Sequence, residues 1–351
     1  MRTNPDVLVV GGGVIGLTIA YQLADTSIQV ELVDAGEFGR EASWAGAGIL
    51  PPWGGGEWAT PLDKLRALSL MSFEMFSRKL REQTGIDNEY HVCGGVEFLS
   101  AENADQTDLW RDEGIRFERY DGLCPAGTTG YHLPYAQVRN PRHVAALIDG
   151  CRRLGVTMRP HTRLERLPSD DETCVVLTAG AWTGELLARH GVSLPVVPVK
   201  GQIVLFNPGQ PALDGIRVHG KRYLVPRRDG RVLAGSTEES TGFDKSTTAD
   251  GVSGLIDFAH SMAPELRSAP VEASWAGLRP ATPDGMPYIG QLPGFGRTLV
   301  AAGHFRAGIQ LSYWTAELVT ELILGERPSD LHEAFAVGRT PHPPMRSAFR
   351  S

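Results

Sequence analysis

Val7-Leu8-Val9-Val10-Gly11-Gly12-Gly13-Val14-Ile15-Gly16, followed by Asp34 eighteen residues further on, decides how this chain folds. Val7 to Val10 is a short, unbroken apolar run, the pattern of a strand buried on both faces. Gly11 to Gly13 break it, Val14 to Leu23 reads as a helix, and Val30 to Val33 is a second β-rich run ending in Asp34. Strand, turn, helix and strand within about 30 residues make a βαβ unit. In that context the G-x-G-x-x-G spacing of Gly11, Gly13 and Gly16 is a dinucleotide fingerprint. Gly11 permits the tight turn, Gly13 lets the backbone approach a pyrophosphate, and Gly16 packs helix on strand. The helix N-terminus offers free N–H groups and partial positive charge to that anion. Asp34 is placed to accept hydrogen bonds from an adenosine ribose. The bland alternative is a glycine-rich turn of some other α/β protein. The pattern itself serves NAD and FAD alike.

From Val7 to Ala24 there are eighteen residues without a charge, close to the ~20 of a bilayer span. Four glycines interrupt the stretch and Asp6 precedes it. No basic region or small-residue cleavage site frames it as a signal peptide. A strand, turn and helix explain it better than a membrane anchor. The 351 residues suggest two domains at roughly 150 residues each. Glycine is abundant, 41 residues with no collagen-like period, which implies many tight turns and close backbone approaches. A net charge of -7 speaks against nonspecific binding to nucleic acid or an anionic membrane. Cys93, Cys124, Cys151 and Cys174 stand 31, 27 and 23 residues apart with no C-x-x-C pair. Reduced cysteines in a cytoplasmic protein fit that spacing better than a disulfide framework or a zinc site.

Asn140 to Gly155 reads as a helix with Asn140 as N-cap, Pro141 at the first position and Gly155 as the stop. Leu62 to Leu80 is a further helix. The middle of the chain is β-rich over 196–206 and 223–235, with Asp229-Gly230 as a hairpin turn between Tyr223–Pro226 and Val232–Ala234. Thr298 to Ala302 reads as a strand, Gly308 to Leu324 as a helix closed by Gly325, and the proline-rich tail from Arg339 as loose.

Glu41-Ala42-Ser43-Trp44-Ala45-Gly46-Ala47-Gly48-Ile49-Leu50 resembles the segment after the second strand in the amine-oxidising FAD family of D-amino acid oxidase, sarcosine oxidase and glycine oxidase. Trp275-Ala276-Gly277-Leu278-Arg279-Pro280, Asp284 to Gly290, and Gly303-His304-Phe305-Arg306-Ala307-Gly308-Ile309 are similar to the C-terminal part of glycine oxidases. Pro198 to Gln202 and Tyr223 to Arg227 match as well. The resemblance spans nearly the whole chain. It implies an α/β fold: a Rossmann-type FAD-binding domain built from 1–84, 138–196 and 275–351. A second, α+β substrate domain, 85–137 and 197–274, would rest on a mostly antiparallel sheet. It further implies noncovalent FAD, since Cys174 is the last cysteine and relatives with covalent flavin use one nearer the C-terminus.

The flavin would be held by Gly11, Gly13, Val14, Ile15 and Gly16, by Asp34 and Ala35, by Ala42, Ser43, Ala47, Gly48 and Ile49, by Leu164, and by the run His304, Phe305, Arg306, Ala307, Gly308, Ile309 and Gln310. The helix starting near Gly308 would aim its positive end at the flavin. Arg279 and Tyr223 would hold a substrate carboxylate, which suits a guanidinium fork with a neutral donor beside it. Arg306 would lie beside the amino group, through its main chain. The implied activity is oxidation of glycine and small amines such as sarcosine or D-alanine to an imine, then glyoxylate and ammonia, with dioxygen reduced to hydrogen peroxide. A thiazole synthase of thiamine biosynthesis and a homo-oligomer are admitted as partners. A sarcosine or D-amino acid oxidase or dehydrogenase of the same fold, and a non-catalytic flavoprotein subunit, are the rival readings.

The chain departs from the family in places. Arg163 to Cys174 is too short for the small β-meander usual in this FAD domain, and the Ala101–Thr128 stretch looks trimmed. Glu238 stands where an apolar residue is expected near the substrate pocket; if it faces the pocket and is ionised, it would favour a cationic amine. No metal-ligand spacing and no G-x-S-x-G elbow occurs. Arg227, Arg228 and Arg231 bracket the hairpin turn and read as a solvated face.

Overall fold

The computed structural model describes residues 5–26, 28–168, 173–343 and 347–349. Its first layer is a six-stranded sheet in the order Tyr288–Gln291, Thr298–Ala302, Cys174–Leu177, Val7–Val10, Val30–Val33, Thr157–Arg159. Neighbours run parallel except for the antiparallel edge strand Tyr288–Gln291. Val7–Val10 lies inside the sheet, and Val9 is fully buried, as a strand covered on both faces requires. Helices Val14–Asp25, Pro61–Thr84, Asn140–Arg153 and Gly308–Leu324 share one core with it, through Leu17, Leu65, Leu147 and Val319.

The local signals behave as elementary physics asks. The Thr60 hydroxyl accepts a hydrogen bond from the Asp63 N–H at 3.1 Å, Pro61 opens the helix, and Gly85 closes it in a left-handed conformation. Gly325 closes the Gly308–Leu324 helix in the same way. Asn140 differs from expectation. The helix starts one residue earlier, so Asn140 is helical, and its amide donates to the Ser43 carbonyl at 2.8 Å instead of capping its own N–H groups.

The second layer is an eight-stranded sheet in the order Val271–Ala281, Val197–Phe206, Val232–Gly235, Arg222–Pro226, Ile216–His219, Gly95–Ser100, Thr128–Leu133, Glu118–Arg119. It is antiparallel apart from the pair Ile216–His219 and Gly95–Ser100. Alternation splits its faces. Val204, Leu224 and Ala234 pack under the helix Ala249–Met262, while Ile203, Tyr223 and Leu233 face the opposite way. A small sheet of Ile49–Leu50, Ala136–Gln137 and His91–Val92 completes the strands among the described residues.

Three expectations need correction. Strand Val271–Ala281 pairs with Val197–Phe206 along its whole length, so the change of layer comes after Ala281 and not at residue 275. Arg227 is not solvated: it is 8% exposed and donates to Gln137 Oε1, the Val138 carbonyl and the Ala47 carbonyl at 2.7–3.0 Å. Burial pulls its guanidinium down to about 10, and the hairpin thereby becomes a bolt between layers. The tail is anchored where it is described. Arg339 donates to both Asp284 oxygens at 3.0 and 3.1 Å and lies over the Tyr288 ring. Phe349 is buried against Trp110, whose indole N–H donates to the Ala348 carbonyl at 2.9 Å. Among the described residues the tail forms no regular element, yet these point anchors hold it. Between Arg163 and Cys174, where the strand Cys174–Leu177 begins, the described residues form no strand, and 169–172 lie outside them.

Candidate active site between the layers

An elongated cavity of about 530 Å³ runs from the glycine turn to the inner face of the second sheet. At its first end the backbone leaves no room for side chains. A Cβ on Gly11, whose φ is +113°, would stand 2.4 Å from the Thr178 carbonyl oxygen, and one on Gly16 would stand 1.9 Å from the Gly11 oxygen. Gly16 therefore seats the helix on the strand from behind the cavity wall. Asp34 accepts from the Gly12 N–H and the Gly36 N–H, both at 2.7 Å, one on each carboxylate oxygen. Each oxygen keeps further accepting capacity, and the residue lines the cavity. Ser43 Oγ accepts from the Val14 N–H at 2.9 Å, at the start of the helix. Farther along, a Cβ on Gly48 would fall 2.1 Å from the Val138 oxygen. Asn140 Oδ1 is buried at this wall with no hydrogen-bond partner among the described residues.

The other end is built from side chains on one sheet face. Trp275, Gly277 and Arg279 alternate along one strand, and Gly201 and Ile203 stand beside them on the next. Gly235 and Tyr223 continue the row. The Arg279 guanidinium donates to Ser236 Oγ at 2.7 Å and the Thr237 carbonyl at 3.1 Å, both neutral. Burial pulls its pKa down, as does Arg306 nearby, while Tyr223 and Glu238 oppose that shift; a guanidinium stays charged. Gly201 leaves the guanidinium room, because a Cβ there would stand 2.1 Å from it. The Trp275 indole donates to the Ala45 carbonyl at 2.9 Å and joins the layers. His304 is buried, its ring bonded to Thr315 Oγ1 at 3.0 Å, and burial pushes its pKa down to about 3, so it is neutral. The Phe305 N–H donates to the Pro280 carbonyl at 2.8 Å, which ties this loop to the Arg279 strand.

The residues singled out in the sequence therefore converge. Arg279, Tyr223 and Arg306 line the cavity, as do all the expected cofactor residues except Gly16 and Ala307. Ala307 is fully buried at the cap of the Gly308 helix. Glu238 is not part of the cavity wall. It accepts from Arg306 at 2.6 Å and pairs with Lys221 at 2.8 Å, so its charge is met by cations from protein, contrary to the expectation that it would draw an amine. Sequence reasoning missed Asn140, the Thr178–Trp182 turn, Glu97 and Tyr135, all of which line the cavity. Strand register brings Glu97 there, Asn140 arrives on a helix, and Tyr135 and the Thr178–Trp182 turn come from connecting segments.

The fold and this cavity define a flavoprotein: the chain belongs to the family described as DAO, FAD dependent oxidoreductase, which it matches over residues 6–322. It is 37% identical to the glycine oxidase of Pseudomonas putida, over 93% of this chain and 96% of that one. It superposes on the crystal structure of glycine oxidase from Geobacillus kaustophilus with a TM-score of 0.89, at 32% identity, covering 96% of this chain and 99% of that one. It is also 33% identical to the bifunctional protein ThiO/ThiG of Synechocystis, over 99% of this chain and 56% of the longer protein.

FAD fits the residues present. The cavity is long, begins at a helix N-terminus with the Asp34 carboxylate alongside, and is flanked by glycines whose Cβ atoms would strike backbone. It offers an orphaned acceptor at Asn140 Oδ1. None of the four cysteines lines it. Among the described residues no helix is long and apolar enough to cross a membrane.

Proposed function

We propose that this chain oxidises glycine, with sarcosine and D-alanine as further small substrates, using noncovalent FAD and dioxygen. The observation that carries the reading is Arg279: a half-buried guanidinium with two neutral hydrogen-bond acceptors, lining the cavity beside Tyr223. A cation so placed is complementary to a carboxylate, and the 31–37% identity to glycine oxidases selects the amino acid.

In this reading Gly11 to Ile15 and Ser43 hold the pyrophosphate, Asp34 and Ala35 hold the ribose, and Leu164 covers the adenosine. Ala42, Ala47, Gly48 and Ile49 lie along the flavin with the His304–Gln310 run. Bound FAD supplies the two-electron acceptor that the protein itself lacks. Arg279 and Tyr223 fix the carboxylate, and the chain at Arg306 orients the amine. The Arg306 side chain is held away by Glu238 and the Lys221 carbonyl. The layers exclude water while the imine forms. No acid–base side chain is assigned, because an amine bound neutral needs none. A thiazole-forming partner that takes the imine, in a cytoplasmic setting, completes the proposal; the fused ThiO/ThiG relative and the four free cysteines support it.

The test is oxygen uptake and peroxide release with glycine, sarcosine, D-alanine and D-phenylalanine. Glycine and sarcosine should exceed D-phenylalanine. A larger rate with D-phenylalanine excludes the glycine assignment. Acid precipitation should leave the yellow colour in the supernatant; flavin in the pellet contradicts noncovalent binding.

A further inference from the structure

Beyond the carboxylate site, the cavity wall carries an acidic side chain that the proposed reaction does not use. Glu97 stands opposite Val218, and Val218 stands opposite Tyr223 on the next strand. Directly opposed residues share a face, so Glu97 projects from the same face as Tyr223. Both line the cavity, as do Val218, Tyr135 and Phe349. The Tyr135 hydroxyl donates to Glu97 Oε2. Burial pushes the Glu97 carboxyl up to about 7, with Tyr135 pulling the other way.

Two buried carboxylates of this protein, Asp63 and Asp284, are matched by Arg66 and Arg339, and the half-buried Glu238 by Arg306. Glu113, also buried, has no ion pair among the described residues but does not line the cavity. Among the described residues Glu97 has no such cation. A carboxylate withdrawn from water without a positive partner is costly, and this one lines the cavity. Two strand steps separate the Tyr223 and Glu97 backbones, roughly 10 Å at about 4.8 Å each. The Arg279 guanidinium lies farther off still, bonded to Ser236 beside Gly235, one strand beyond Tyr223, so glycine anchored there does not reach Glu97.

We propose that Glu97 and Tyr135 form a distal subsite that binds the cationic end of a longer amino-acid substrate, one whose carboxylate sits at Arg279 and whose second amine lies several bonds away. The inference rests on the carboxylate position in the glycine-oxidase reading and extends its substrate class. Arg279 and Glu97 then recognise opposite ends of one ligand, and the apolar walls at Val218 and Phe349 accept its methylenes.

The test uses the FAD-loaded enzyme and two pairs that differ in a terminal amine: D-lysine against D-norleucine, and N-(2-aminoethyl)glycine against N-propylglycine. The wild type should favour the cationic member of at least one pair by about tenfold or more in kcat/KM, the worth of one charge-assisted contact. Glu97→Gln should abolish that preference while flavin content and Tm are checked alongside. If the variant does not retain FAD, the wild-type ratios alone decide. Ratios near one in both pairs, or a preference unchanged in Glu97→Gln, overturn the subsite. Failure of the wild type to oxidise glycine would instead strike the parent reading. In that case titration of D-lysine and D-norleucine against the flavin absorbance, which needs no turnover, still judges Glu97: equal affinities overturn it.

Discussion

The two ends of the cavity are made by opposite means. At the Gly11–Asp34 end the backbone does the work: glycines stand where a single added carbon would meet a carbonyl at 1.9–2.4 Å, and Asp34 is itself held by N–H groups. At the far end a β-sheet face presents a few charged and hydroxylated side chains, Arg279, Tyr223 and Glu97, between small or apolar neighbours. A dinucleotide is long and invariant, and a backbone cradle suits it. A small amino acid offers little beyond its charges, and only side chains can meet those. The first end should therefore be intolerant of added atoms, the second of lost ones.

The largest expected effect falls on the first. Gly16→Ala forces a Cβ to within 1.9 Å of the Gly11 oxygen and 2.5 Å of Thr178 Oγ1. It should cost about 3 kcal/mol or more and release flavin; a yellow protein with wild-type Tm would break the comparison. Arg227→Ala comes next, removing three buried hydrogen bonds across the layers. Urea unfolding should show a loss of about 2–3 kcal/mol, with Arg227→Lys recovering part, and an unchanged midpoint would contradict the bolt.

A smaller effect distinguishes the second end. The Glu97 carboxyl, at about 7 in the fold, ionises near its ordinary, lower value when the chain unfolds. Between those two values the native state holds the extra proton, so stability falls as pH rises through that window. Glu97→Gln should thus raise Tm relative to wild type at pH 8 and much less at pH 5, measured without substrate. An equal shift at both pH values would show that the carboxyl is not held protonated. The smallest effect is a control. A Cβ on Gly55 meets nothing within 4 Å, and Gly55→Ala should stay within about 0.5 kcal/mol of wild type. A large loss there would mean that glycine content alone, and not steric position, governs the cradle.

The same contrast explains what could be read in advance. Local signals sufficed for three strands of the first sheet and for its long helices: Val7–Val10, Val30–Val33 and Thr298–Ala302 are strands with the expected bounds, and the last long helix ends at Gly325 as its glycine requires. Thr157–Arg159, Cys174–Leu177 and Tyr288–Gln291 were not read as strands. Arg279 and Tyr223 were legible through whole segments that resemble a family. Glu97 and Tyr135 were not, because nothing in Gly95–Ser100 indicates which strand it joins, and a one-residue slip would turn Glu97 to the other face. Asn140 satisfied every rule for a helix cap, yet the neighbouring Ser43 carbonyl claimed its amide. Arg227 sits in a turn tripeptide that is polar by composition, and only the approach of Ala47 and Val138 makes it a buried donor.

The central claim is that Arg279 holds the substrate carboxylate while the backbone cradle holds FAD, and Arg279→Ala tests both halves at once. With kcat/KM for glycine, bound FAD and Tm measured on one preparation, the account predicts a loss of about 10²-fold or more in kcat/KM. Flavin content should stay near wild type, and Arg279→Lys should restore only part of the activity, because an ammonium lacks the planar fork. Normal glycine kinetics, or a variant that simply sheds its flavin, would contradict it.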